Sequence, residues 1–260
     1  MSNPVASNHT LRVRGLTIGA GAPKIIAPLV GGTQAEIVAQ ASRVRRESGV
    51  DAVEWRVDFY DHVLHLPSVL ETLRAIREEL GEMPLLFTFR SKQEGGALAL
   101  PKEDYYALNL AAARSGLVDL VDVEILTASD VAYHIEALRR CGVAVVGSKH
   151  DFDKTPSDPE LREYLERGWR WGVDLPKLAV MPRTQEDVER LLTVTKALYE
   201  EHGRPLITMS MGALGVSSRL QGERYGSAMT FGALGQASAP GQIPVAQLRR
   251  ELERIHAELS

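Results

Sequence analysis

One rhythm constrains the fold of this chain more than any other feature. Short apolar runs recur at intervals of roughly 20 to 35 residues: Lys24–Val30, Asp51–Asp58, Pro84–Arg90, Val118–Ile125, Val143–Ser148, Asp174–Pro182, Pro205–Ser210 and Ser227–Phe231. Each is too short for a helix and reads as a buried strand. Helical patterns fill most of the gaps. One opens at Gly31-Gly32-Thr33 and runs to about Ser48, and others cover Ser68–Leu80, Lys102–Ser115, Ala128–Cys141, Asp158–Trp169, Thr184–His202 and Val245–Leu259. Strands alternating with helices imply parallel βαβ units, and eight of them in a 260-residue chain fit an α/β fold of the TIM (β/α)8 type. A doubly wound sheet would carry G-x-G-x-x-G after its first strand, where this chain has Val30-Gly31-Gly32-Thr33. Leu11–Ile18 alternates around a glycine and predicts an N-terminal β-hairpin. Residues 1–9 read as a disordered leader, and 10–260 as a single catalytic barrel domain.

Net charge is -4, and no Lys/Arg block rises above the background, so neither nucleic acid nor a membrane surface is an expected partner. No apolar run approaches the ~20 residues needed to cross a bilayer. Met1–Thr10 lacks the charged and apolar regions of a signal peptide, and the single cysteine, Cys141, falls at a predicted helix end. A cytoplasmic location is expected.

Lys177 lies within the apolar run Leu175–Met181. Either it sits at the strand's start and snorkels to water, or it is held where its pKa falls and its amine becomes nucleophilic. Other strands also carry charge. Glu54, Arg56 and Asp58 are spaced by two and share one face. If Val53, Trp55 and Val57 face the helices, this row points into the barrel, where it must be mutually paired or serve a ligand. Asp122 and Glu124 share a face of the fourth strand, Arg90 ends the third, and His150 follows the fifth. His62 and His65 lack a third ligand in their motif and read as a solvated loop or helix start. The remaining histidines, His9, His134, His202 and His256, read as surface residues. Met211-Gly-Ala-Leu-Gly215 and Phe231-Gly-Ala-Leu-Gly235 stand where barrels often bind phosphate.

Taken in order, seven motifs carry a family resemblance. They are Glu54-Trp-Arg-Val-Asp58, Phe87-Thr-Phe-Arg-Ser91 with Glu94-Gly-Gly96, His150-Asp-Phe152, Pro176-Lys-Leu-Ala-Val-Met181, Thr208-Met-Ser-Met211, Ser218-Arg219 and Ser238-Ala-Pro-Gly-Gln242. Together the chain resembles type I 3-dehydroquinate dehydratase, the Schiff-base hydro-lyase of the shikimate pathway and aromatic amino acid biosynthesis, from about Leu11 onward. The resemblance implies that Lys177 forms an imine with the substrate ketone, that His150 is the general base and acid, and that Glu94 is the carboxylate beside it. It implies substrate contacts from Glu54, Arg56, Arg90 and Arg219, with Ser238 and Gln242 on a closing loop. It implies no metal and no other cofactor, and a homodimer that binds 3-dehydroquinate. Two positions depart from the pattern: Pro28 where a serine is common, and Lys149 where Asn or Tyr is expected.

The chemistry suits these residues. Loss of water from a β-hydroxy ketone needs an acidified α proton, and a protonated imine is a stronger electron sink than the ketone. Forming it needs a neutral amine, yet at an ordinary pKa only about 1 lysine in 2,500 is neutral at pH 7. Burial and nearby arginines can lower that pKa, a histidine can carry the proton, and arginines can hold the substrate carboxylate. The rivals are a Schiff-base class I aldolase of a phosphorylated sugar, favoured by the glycine turns, and a non-catalytic barrel that binds a small acid.

Overall fold

The computed structural model describes residues 9–125, 130–235 and 239–260. A hairpin of β1 (Leu11–Val13) and β2 (Leu16–Ile18) comes first. The barrel strands follow: β3 (Lys24–Leu29), β4 (Ala52–Arg56), β5 (Leu85–Thr88), β6 (Leu120–Glu124), β7 (Ala144–Asp151), β8 (Leu175–Val180), β9 (Ile207–Ser210) and β10 (Met229–Ala233). They pair in parallel in sequence order. A parallel bridge between Leu206 and Ser227 closes the ring, with Ala228 N–H donating to Leu206 O at 2.8 Å. A short β11 (Ile243–Pro244) adds to β10.

The helices are α1 (Gln34–Arg46), α2 (Leu66–Leu80), α3 (Lys102–Arg114), α4 (Val131–Arg140), α5 (Asp158–Arg170), α6 (Gln185–His202), α7 (Val216–Leu220), α8 (Gly222–Tyr225) and α9 (Val245–Leu259). Their starts follow local chemistry. Thr33, Ser157 and Thr184 each form a capping box with an acidic residue three positions on, which satisfies otherwise orphaned N–H groups. Sequence reasoning missed α7, α8 and β11, which are too short to show a period. Part of the helix start expected near Ala128 lies outside the described residues, as do residues 1–8 of the expected leader; His9 N–H donates to Gly203 O at 2.8 Å.

The two faces of each strand have separate duties. Val53, Trp55, Val57, Phe87, Val121 and Val123 pack outward with Ile37, Leu73 and Ile76 of the helix layer. The inner face is stratified. At the N-terminal end, Ile26, Ala52, Leu86, Leu120, Val146, Leu175, Ile207 and Met229 form an apolar floor, and Val13 and Ile18 of the hairpin plug it from below. One step up each strand the inward residues become Glu54, Thr88, Asp122, Ser148 and Lys177. In a barrel this upper, C-terminal end is where ligands bind.

Candidate active site

Leu178 and Val180 of β8 pack outward with Leu161, Leu165, Leu191 and Leu198, so Lys177, on the alternate face with Leu175 and Ala179, must point into the barrel. It is 5 % exposed and lies mid-strand, which rules out snorkelling. Its Nζ sits 4.2 Å above the Phe231 ring centroid and 3.9 Å from Asp122 Oδ2, an oxygen that accepts no hydrogen bond among the described residues. Burial lowers the lysine below its ordinary pKa; Glu54 and Asp122 oppose this, while Arg90 and Arg56 add to it.

Arg90 organises the carboxylates. Its two terminal nitrogens donate to Glu124 Oε1 at 3.0 Å, Ser148 Oγ at 2.8 Å and Asp122 Oδ1 at 2.8 Å, and Ser148 Oγ donates to Asp122 Oδ1 at 2.7 Å. On β4, Glu54 accepts from Thr88 Oγ1 at 3.0 Å. Arg56 forks onto Asp58 at 2.8 and 2.9 Å, and Asp58 also accepts from the N–H groups of Arg90 and Ala97. Asp58 thereby ties the top of β4 to the loop carrying Glu94. The inward charged row is real, and it is both internally paired and part of a pocket wall.

That loop turns so tightly that glycine is required. Gly95 has φ +85°, and a Cβ there would fall 2.4 Å from the Phe152 ring; a Cβ on Gly96 would fall 1.8 Å from Arg90 O. The turn delivers Glu94 to His150, whose Nδ1 lies 3.0 Å from Glu94 Oε2 and whose N–H donates to the same oxygen at 3.0 Å. The sequence reading placed His150 after its strand. Instead, β7 continues to Asp151, because residues 149–151 pair with Leu178, Ala179 and Val180. Burial, then Arg90, Lys177, Arg56 and Lys149, hold the imidazole well below its ordinary pKa. Burial pushes Glu94 up to about 7, opposed by Arg90.

Ser218 accepts from Ser210 N–H at 2.9 Å and donates to Gly215 O at 2.7 Å, anchoring α7 so that Arg219 enters the pocket. Arg219 is 1 % exposed and has no carboxylate within ion-pair distance among the described residues. Its contacts are Met209 Sδ at 3.5 Å and Pro240 O at 3.0 Å; Nε has no partner among the described residues, and burial lowers its pKa to about 10. Pro240 O also accepts from Gly212 N–H, which docks the 239–242 loop over the site and brings Gln242 to the wall. Ser238 lies outside the described residues. Lys177, His150, Glu94, Arg90, Arg219 and Gln242 thus line one pocket at the C-terminal end of the barrel.

Several expectations change. Gly232 of the second glycine turn lies within β10, packed beneath Val245 and Leu248, and Gly212 N–H and Gly215 N–H are taken by Pro240 O and Gly212 O. These turns do not offer the bare N–H cradle of a phosphate site. His134, expected on the surface, is buried and stacks on Tyr106 at 4.0 Å, because α4 turns that face toward α3. His62 and His65 are exposed, as a solvated loop requires. The histidine–carboxylate group spaced for a metal among the described residues, Glu166, Glu201 and His202, lies on α5 and α6, where Arg162 pairs with both glutamates. Pro28 stands on the inner face of β3 opposite Glu54, where a serine would offer a hydroxyl. Sequence reasoning left Phe231 and Ser148 out of the site, since neither carries a charge. Strand alternation did put Asp122 and Asp58 on the inner face.

The family model of type I 3-dehydroquinase matches residues 25–258. The 3-dehydroquinate dehydratase of Salmonella agona is 50 % identical over 249 residues, covering 95 % of this chain and 98 % of the relative. That of Listeria welshimeri is 49 % identical over 247 residues, with the same coverage. Among solved structures, the type I 3-dehydroquinate dehydratase of Clostridium difficile with covalently modified comenic acid superposes with a TM-score of 0.93 at 41 % identity, covering 96 % of this chain and 99 % of that one. The Geobacillus kaustophilus 3-dehydroquinate dehydratase also gives 0.93, at 39 % identity, covering 96 % and 98 %. The chain belongs to the type I 3-dehydroquinase family, a family of hydro-lyases.

Proposed function

We propose that this chain dehydrates 3-dehydroquinate to 3-dehydroshikimate through an imine on Lys177, with His150 carrying the proton. The observation that supports this reading is a buried amine lying over an aromatic ring, with its pKa lowered by burial, in one pocket with a histidine and an arginine that has no carboxylate partner among the described residues. Neutral Lys177 adds to the substrate ketone, and the carbinolamine takes up one proton and loses that oxygen as water to give the protonated imine; that proton is released again when the product imine is hydrolysed. His150, its Nδ1–H held by Glu94, takes the α proton on Nε2, and the electron pair moves into the enamine. The enamine expels the β-hydroxyl, which leaves as water with the proton from His150. Water then hydrolyses the product imine and frees the lysine. Arg219 binds the substrate carboxylate, and Glu54, Arg56 and Gln242 contact its hydroxyl face. Arg90 sets the field around Lys177 and Glu94 and adjoins the ligand from the pocket wall.

Borohydride added with 3-dehydroquinate should fix the ligand's mass on the peptide that carries Lys177, and Lys177→Ala should abolish both adduct and turnover. Labelling elsewhere, or an active Lys177→Ala protein, would overturn the mechanism. His150→Ala should lower kcat about 10²–10⁴-fold while the adduct still forms. The same reading places the chain in the cytoplasm as a homodimer; sedimentation at micromolar concentration should give twice the 28.5 kDa chain mass.

A further inference from the structure

Glu94 is gripped from both faces of one strand. Lys149 and His150 are adjacent on β7, and successive side chains of a strand point to opposite faces. Both nevertheless reach Glu94: His150 meets Oε2, and Lys149 Nζ donates to Oε1 at 3.3 Å. The β6 ladder ends at the pair Glu124–Ser148, so the His150 N–H lies beyond its last rung and Glu94 Oε2 takes it. The carboxylate thus straddles the end of β7, one oxygen to each neighbour. Lys149 is absent from the pocket wall, so it acts on the chemistry through its bond to Glu94 and its field at His150.

We propose that Lys149 is a positioning residue: it pins the Glu94 carboxylate across the end of β7 and so fixes which nitrogen of His150 faces the pocket. This rests on the reading of His150 as the proton carrier. The other charged groups facing this pair are Arg56 and Asp58 from the end of β4, Arg90 after β5, Asp122 and Glu124 from β6, and Lys177 from β8; Tyr105 of α3 donates toward Asp122 O and accepts from the Glu124 N–H. Arg90 is the nearest other cation, 3.6 Å from Glu94 Oε2, but it is committed to Asp122, Glu124 and Ser148. Among the described residues, Lys149 pairs with Glu94 alone. Glu94 is buried beside Glu124, and both burial and that like charge favour its protonation; Arg90 and Lys149 oppose it. Losing Lys149 therefore raises the proton affinity of Glu94. It also removes one of the cations that depress His150. Both changes move the acid limb of activity in the same direction, to higher pH.

The test is the pH profile of kcat from about pH 5.5 to 9.5 for the wild type and for Lys149→Met, Lys149→Asn and Lys149→Arg. Because the lysine is partly exposed, the limb should rise by about 0.5–1 unit in the Met and Asn variants. That lowers kcat about 3–10-fold on the acid side, with a plateau near pH 9 within about twofold of wild type, and Lys149→Arg should restore the profile. In parallel, NMR titration of the His150 imidazole in ligand-free protein, which needs no turnover, should show its midpoint rising by a similar amount in Lys149→Met. An unmoved limb with an unmoved histidine midpoint overturns the proposal, as does a loss of kcat that is equal at every pH. Should the wild type fail to turn over 3-dehydroquinate, the proposed function falls, while the histidine titration still decides the role of Lys149.

Discussion

Arg219 is a buried cation that folding alone would not select. A guanidinium taken out of water without a carboxylate to pair with is a net penalty of several kcal/mol, and burial alone pulls this one's pKa down to about 10. Arg90, equally buried, is surrounded by Asp122, Glu124 and Ser148 and pays its way in structure. The contrast predicts opposite mutant behaviour. Arg219→Met, similar in length and apolar, should leave the melting temperature unchanged or raise it by a few degrees, while kcat/KM falls about 10²-fold or more through KM, as expected when an anion loses its charge-assisted partner. Arg90→Met strands three polar groups and should lower stability by about 3–5 kcal/mol, read by urea unfolding. If Arg219→Met destabilised as much as Arg90→Met, the arginine would be a structural element and not a ligand anchor. The family resemblance added Glu94 to Lys177 and His150, which residue type and strand position had already raised as candidates. Residue type could not separate these two arginines, because the difference lies in partners contributed by other strands.

At the scale of the element, the Ser91–Gly96 turn and the α3–α4 pair show how local geometry carries function and stability apart. Gly95→Ala forces a side chain into left-handed backbone and into the Phe152 ring, so the turn must shift. Since Glu94 is next to it, kcat should fall about tenfold or more with only about 1 kcal/mol lost in unfolding free energy. His134 makes the opposite case. Burial lowers its pKa to about 4, against an ordinary value near 6.5. The unfolded chain therefore binds a proton that the folded chain refuses between about pH 6.5 and 4, and stability declines as pH falls through that window, by an amount on the order of 2–3 kcal/mol. His134→Phe keeps the stack on Tyr106 and removes the titration. Urea unfolding at pH 7 and pH 5 should show a smaller pH loss in the variant, with activity at pH 7 unaltered. Periodicity made the long elements legible: α9 begins and ends where the sequence places it, and α2, α3, α5 and α6 lie within two residues of their expected bounds. The pattern did not show that β7 runs on through His150, because that extension is set by its partner β8, nor that His134 is buried, because a helix surface is chosen by the neighbour it meets.

Across the whole molecule, the inner face of the barrel divides stability from chemistry along its axis. The lower layer is apolar and closed by the hairpin, whose Ile18 is fully buried and whose Arg14 pairs with Asp119 at 2.6 Å and Glu82 at 2.7 Å. The upper layers carry the charge, and the floor that excludes water beneath them strengthens their mutual pairing. The alternation of apolar and charged residues in Asp51–Asp58 and Val118–Ile125 put the charges on shared faces, but neither the apolar floor nor the plug was legible, since nothing in Leu11–Ile18 says which end of a barrel it covers. The division can be tested by cutting at the bottom and reading at the top. Ile18→Ala removes a buried side chain from the plug and should lower unfolding free energy by about 2–4 kcal/mol. Below the onset of unfolding, KM and the acid limb of kcat should match the wild type, because Lys177, His150 and Glu94 sit layers above and share no contact with the hairpin. Arg14→Ala should do the same more weakly, about 1 kcal/mol, because Asp119 keeps Arg77 at 2.6 Å. A shifted acid limb in Ile18→Ala would mean that water admitted at the floor reaches the charged layers, and that the plug belongs to the active site's electrostatics as well as to its stability.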